Sequence, residues 1–154
     1  MPDLDPASDR YLVRLSTDYF LRMVSDLGHL FDGDLVLAVV FLAVNQSSVS
    51  YLALGREVKA FEGDGVVPDD LRRPVTTLSI ANSLNLPRET VRRHVNRLVE
   101  HGYCVRVSGS RVIIPAEVFR RPDMVAAVEA NRRNLQGLIA MVQRAELLPS
   151  IMVG

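Results

Sequence analysis

The chain has 154 residues, 48% hydrophobic and 23% charged, with 18 basic and 18 acidic side chains. That is room for one compact domain, or for a small module with oligomerisation helices, and the balance excludes a disordered polyelectrolyte. The longest apolar run, LVLAVVFLAV from Leu35 to Val44, is about half of what a bilayer span requires, so no membrane partner is expected.

The opening MPDLDPASDR is acidic and contains proline, with neither a basic n-region nor an apolar h-region. No secretion signal is expected, and a cytoplasmic location follows. The single cysteine, Cys104, has no partner for an intrachain disulfide, which fits a reducing compartment and a small core residue of a strand. Tyr11, Leu12, Leu15, Tyr19, Met23 and Leu27 recur every three or four residues. They predict an amphipathic helix from about Ser8 to Leu27, capped by Ser8 or Asp9 and ending near Gly28. Phe31 to Asp34 reads as a turn, and Asp34 as the cap of a second helix from Leu35 to roughly Leu54. Its apolar run predicts burial on nearly all sides, in a core or a subunit interface. GREVKAFEGDGVVPDDLRRP reads as a connector with a short helical turn around Val58 to Phe61.

Thr76 and Thr77 cap a short helix, LSIANSL, and Asn85 follows where a tight turn requires a left-handed residue. Pro87 opens the next helix at its first position, and Gly102 stops it. At 100° per residue Val91, Val95, Leu98 and Val99 share one stripe, with Glu89, Arg93, Asn96 and Arg97 opposite. YCVRV, the turn SGS and RVIIP predict a β-hairpin from Tyr103 to Pro115. Met124, Val128, Leu135, Leu138 and Val142 mark a long amphipathic helix from about Asp123 to Glu146.

Zero net charge hides a segregation. Residues 1 to 70 carry 5 basic and 12 acidic side chains, whereas residues 71 to 121 carry 10 arginines against Glu89, Glu100 and Glu117. Arg88, Arg92, Arg93 and Arg97 fall within one predicted helix. A local basic excess is the electrostatic footprint of a polyanion-binding surface, or else a solvated helix face. Two short helices, a tight turn and a β-hairpin in this order describe a winged helix-turn-helix, in which Ile80, Ala81, Leu84, Leu86 and Val91 hold the helices together. Arginine suits such a face, because its planar fork bonds guanine O6 and N7 together or clamps phosphates.

PRETVRRHVNRLVEHGYCVRVSGSRVII, Pro87 to Ile114, resembles the DNA-binding output module of the cyclic-AMP receptor/Fnr family. The resemblance rests on RETV-x-R, an L-E-type helix end and a short hairpin wing, and covers residues 76 to 115. It implies that Arg88, Glu89 and Arg93 read bases, with Thr90 and Thr77 near phosphates. GntR regulators share a related pattern in which the position of Arg92 also contacts DNA. Nothing in the N-terminal half resembles the cyclic-nucleotide β-roll, and His94 stands where many helix-turn-helix units place an aliphatic residue. The overall helix order is similar to MarR-type regulators, whose terminal helices pair as a dimer and in which the apolar run would open the winged module.

The expected fold is therefore mainly α with a small β-hairpin wing: a winged helix-turn-helix with N- and C-terminal dimerisation helices. Residues 1–75 form N-terminal helices and connector, 76–115 the winged module and 116–154 the dimerising C-terminal helix. The expected function is sequence-specific binding of double-stranded DNA by a homodimeric regulator, with residues 86 to 102 in the major groove. Arg88, Glu89 and Arg93 read bases; Thr77, Thr90, Arg92, Arg97 and Arg111 contact the backbone. The alternative is a winged-helix adaptor for protein interaction. A third reading adds an effector pocket near Tyr19, Phe20 and Phe41, residues that otherwise serve the core. His94, His101 and Cys104 do not make a zinc set, and the acidic turns lack calcium-loop spacing. No phosphate loop, HExxH or GxSxG occurs, so neither catalysis nor a metal or cofactor is expected.

Overall fold

The structure is a computed structural model that describes residues 5–52 and 63–146. It is mainly helical, with one small antiparallel sheet. In chain order come α1 (Pro6–Leu30), α2 (Leu35–Val49), a 3-10 turn (Asp69–Leu71), β1 (Val75–Thr76), α3 (Thr77–Leu84) and α4 (Arg88–Glu100). These are followed by β2 (Val105–Ser108), β3 (Arg111–Ile113), a second 3-10 turn (Ala116–Arg120) and α5 (Pro122–Arg144). The turn expected around Val58 to Phe61 lies outside the described residues. Backbone contacts group the chain into two units, residues 34–124 and residues 1–33 with 125–154.

In the unit 34–124, the Asp34 carboxylate accepts the Leu37 N–H at 2.9 Å and starts α2. One side of α2 buries Leu37, Ala38, Val40, Phe41 and Val44, and the helix packs on α3 and α4. The opposite row, Leu35, Val36, Val39 and Leu42, stays 36–41% exposed, so α2 is buried on one side and not on nearly all. A helix apolar all round has no preferred face of its own, and its neighbours choose one. The helix ends at Val49, short of Leu54. Beyond it the Tyr51 hydroxyl donates to the Leu71 carbonyl, and its ring lies 3.6 Å under the Arg73 guanidinium. Those contacts turn the chain away from the helix axis.

A buried cation anchors the approach to the sheet. Arg72 donates to the Val67 carbonyl and to Asn45 Oδ1, both at 3.0 Å, and its guanidinium lies 4.9 Å from the Phe119 ring centre. Asp69 stands 3.8 Å away as counter-charge and also accepts the Ala116 N–H at 2.6 Å. A buried charge is tolerable only when its donors are used in this way. Next to it, Ser48 and Arg73 exchange two hydrogen bonds, Oγ to carbonyl at 2.8 Å and N–H to carbonyl at 3.0 Å.

The sheet has the order β1-β3-β2, all antiparallel. Val75 faces Val112, Arg106 also faces Val112, and the register slips between Arg106 and Ser108. The predicted hairpin is present. The strand β1 was not anticipated, because two residues carry no alternation and its only ladder partner lies far away in β3.

Thr76 caps α3 by accepting the Ser79 N–H at 3.2 Å. Asn85 adopts φ 52, ψ 41, and the Leu86 N–H returns to the Ala81 carbonyl at 3.1 Å, the left-handed stop expected of it. Pro87 is the residue before α4 and not its first helical residue, a difference of one position at a boundary. Ile80, Ala81, Val91, Val95 and Leu98 are buried together, while Val99, Leu84 and Leu86 are half-buried. Gly102, at φ 75, ends α4 and lets the Tyr103 N–H reach the Leu98 carbonyl at 2.8 Å.

In the other unit, the N-cap of α1 is Asp5, whose Oδ1 accepts the Ala7 and Ser8 N–H groups at 3.0 and 3.2 Å. It displaces Ser8 and Asp9 from that role because Pro6, with no N–H to satisfy, can occupy the first turn. Tyr19 of α1 donates to Asn131 of α5 at 2.8 Å, and Asn134 donates to Asp26 at 2.9 Å. Among the described residues none of α1 is buried. On α5, Val142 is buried and Leu138 half-buried, but Val128 and Leu135 are exposed; Met124, at the start of that helix, is buried and belongs to the unit 34–124.

Candidate nucleic-acid interface

The burial of Val91, Val95 and Leu98 turns the other side of α4 outward, with Arg88, Glu89, Arg92, Arg93 and Arg97 all exposed. Their engagements differ. Among the described residues Arg88, Arg93 and Arg111 make no side-chain hydrogen bond or ion pair. Arg92 meets Glu89 through both prongs, Nε to Oε2 at 2.8 Å and Nη2 to Oε1 at 2.6 Å. That pair holds the Glu89 carboxyl below its usual range and raises the guanidinium of Arg92. Arg97 donates to Asp34, the cap of α2. The hydrogen bond from Leu37 N–H, and then Arg97, keep the Asp34 carboxyl below the ordinary carboxylate range.

His94 fits a position where an aliphatic residue is common because it too faces this corner. Its Nδ1 lies 2.6 Å from the Thr90 carbonyl, an acceptor only, so that nitrogen carries the proton. Its Nε2 lies 3.8 Å from Asp34. Thr90 is half-buried over this contact.

Between α4 and the β2–β3 hairpin an open cleft of about 410 Å³ is lined by Thr77, Arg88, Arg92, Asn96, Arg106, Gly109 and Ser110. Three guanidiniums share it, and none of these described lining residues is acidic. Arg106 donates to Asn96 Oδ1, which ties the hairpin to α4. Thr77, Arg88 and Arg92 were expected at the interface. Arg106 and Ser110 were not, and Asn96 was placed on the outer face without a role. The alternation V-R-V carried the signal for Arg106: it faces the side of the sheet opposite to Val105 and Val107, opposite Val112 in register. Arg93, Arg97 and Arg111 lie outside the cleft lining, with Arg111 exposed on β3 opposite Thr76.

Phe41 packs in the core of the unit 34–124, 5.8 Å from Tyr103 and 6.0 Å from Phe119 between ring centres. Tyr19 lines a groove of about 250 Å³ within the other unit, with Leu15, Arg22 and Gly137, while Phe20 is exposed. Cys104 is buried, and burial pushes its thiol up to about 12, the range of an inert core thiol. Among the described residues no three metal-ligating side chains converge, and no helix is long and apolar enough to cross a membrane. Comparison with protein-family models, with curated proteins and with solved structures gave no match for this chain. What the site itself offers is a set of uncommitted cations and a concave arginine cleft within the unit 34–124.

Proposed function

We propose that the protein is a sequence-specific regulator that binds double-stranded DNA as a homodimer, its residues 76–115 acting as a winged helix-turn-helix. In this reading α3 and α4 are the two helices of the motif, and β2 with β3 is the wing. The observation that carries it is the set of exposed, unpaired guanidiniums of Arg88, Arg93 and Arg111 around a helix whose apolar stripe is buried. In this reading Arg88, in the first turn of α4, bonds guanine through O6 and N7, and Arg93, about one turn and a half later, reads a second base. Glu89 accepts from a cytosine amino group after exchanging Arg92 for it, and Arg92 then turns to a phosphate. Thr77, Thr90 and Arg111 add backbone contacts, whereas Arg97 reaches the backbone only while shared with Asp34.

The exposed side chains of α1 support the homodimer. A helix of 25 residues without a buried side chain, presenting Val13, Phe20 and Leu21 to solvent, leaves an apolar surface for a second copy. On α5, Val128, Leu135 and Ile139 are exposed as well. Two-fold symmetry would set two copies of α4 on half-sites ~34 Å apart. A cytoplasmic, non-catalytic regulator without cofactor is the reading as a whole.

The test is selection of random duplex DNA by the purified protein at near-physiological salt. Enrichment of a pseudo-palindrome supports the proposal. No enrichment, and no retention at low salt, would hand the module to protein docking. One observation favours that second reading: Val105 and Val107, 43% and 51% exposed, stand on the edge strand β2. Docking predicts no steep salt dependence on DNA, whereas neutralising several phosphates does.

A further inference from the structure

We infer that Arg106, held by Asn96, forms with Arg92 and Ser110 a clamp for a single backbone phosphate at the junction of α4 and the hairpin, leaving Arg88 to the bases. The inference rests on the DNA-binding reading and adds Arg106, Asn96 and Ser110, which the sequence did not assign, to Arg92 and Thr77, which it placed at the backbone. Among the described residues Arg106 has no acidic partner, and Arg92, paired with Glu89 in the free protein, turns to the anion when Glu89 takes a base. The donors approach from three directions: α4 supplies Arg92, the start of α3 supplies Thr77, and the hairpin supplies Arg106 and Ser110. Convergence from several sides suits a tetrahedral oxyanion better than a flat carboxylate.

Arg106 uses a donor on Asn96, and a guanidinium has five N–H groups, so others remain for the anion. The register slip between Arg106 and Ser108 and the φ of 54 at Gly109 bend the hairpin, and its Ser110 lies on the cleft wall. The cleft is open rather than closed, as a phosphate within a polymer requires. Exposed Arg93 and Arg111, outside the cleft, extend the cationic surface beyond one anion, which favours a nucleic-acid backbone over a free phosphate. Asn96 is a positioning residue: it carries no charge and sets where Arg106 stands.

Two arms test this on the full chain. In the first, inorganic phosphate is titrated at constant ionic strength and followed by nitrogen-15 NMR. Saturable shifts are expected at Gly109, Ser110 and the side chains of Arg92 and Arg106, lost in R106A and kept in R111A. In the second, duplex DNA binding is measured against salt. R106A is expected to weaken specific and random duplex alike and to reduce the salt slope by about one. N96A is expected to weaken binding with the slope unchanged, since no charge is removed. Shifts spread equally over Arg132 and Arg133, or DNA binding untouched by a folded R106A, would overturn the clamp alone. Phosphate shifts without any duplex binding would overturn the nucleic-acid source, and the proposed function with it.

Discussion

The carboxylate of Asp34 does two jobs at once: it caps α2 through the Leu37 N–H and receives the Arg97 guanidinium from α4. One side chain thus starts one helix and fixes the outer face of another. Asp34→Ala should destabilise the protein by ~1–2 kcal/mol, the cost of a lost cap, whereas Asp34→Asn should keep the cap and cost less. Urea unfolding measures both. The native carboxyl is held below its ordinary value, so its contribution is full above about pH 4 and fades as pH falls through the lowered native value. The gap between wild type and Asp34→Asn should close on acidification; a gap that widened would show that the ion pair contributes nothing.

The turn between α3 and α4 depends on Asn85 at φ 52. Asn85→Ala should cost about 1 kcal/mol or more, because a Cβ without a local hydrogen bond is strained in that region. Asn85→Gly should be close to neutral. If alanine proved neutral as well, the left-handed turn would not exist in solution.

Cys104 should resist thiol reagents in the folded protein, since burial pushes its thiol up to about 12. Labelling at pH 8 should proceed at the rate of global unfolding and accelerate with denaturant. Fast labelling without denaturant would place the thiol at the surface.

On a selected operator, Arg88→Ala and Arg93→Ala should each cost ~1–3 kcal/mol and relax one base position. Competition between operator and random duplex reads this directly. Equal losses on both would demote the residue to a phosphate contact.

Phe20 is 62% exposed on α1. In a monomer Phe20→Glu should change stability by no more than about 0.5 kcal/mol, as surface substitutions do. In the proposed homodimer it should raise the dissociation constant measurably in sedimentation equilibrium. An unchanged oligomeric state would remove α1 from the interface.

The local devices were legible in residue order. Thr76, Asp34, Asn85 and Gly102 act through their own φ, ψ and nearest N–H groups, and the structure has each where the sequence placed it. The same holds for the stripe Val91, Val95, Leu98, because helical period is a property of short segments. The exceptions are instructive. Ser8 and Asp9 look as good a cap as Asp5 until Pro6 is weighed, and the end of α2 moved because Tyr51 found Leu71 and Arg73.

What residue order dictates here is the set of elements, their caps and the gathering of arginines between residues 71 and 121. Which arginines are free is a matter of tertiary structure. Arg72 is buried on Asn45 and Val67, Arg97 is taken by Asp34, and Arg106 is turned into the cleft by Asn96, while Arg88 and Arg93 stay unpaired. Residue type does not distinguish these side chains, since each is an arginine on or beside a short element. The distinction comes from partners up to 63 residues away, brought within hydrogen-bond reach only when the elements pack.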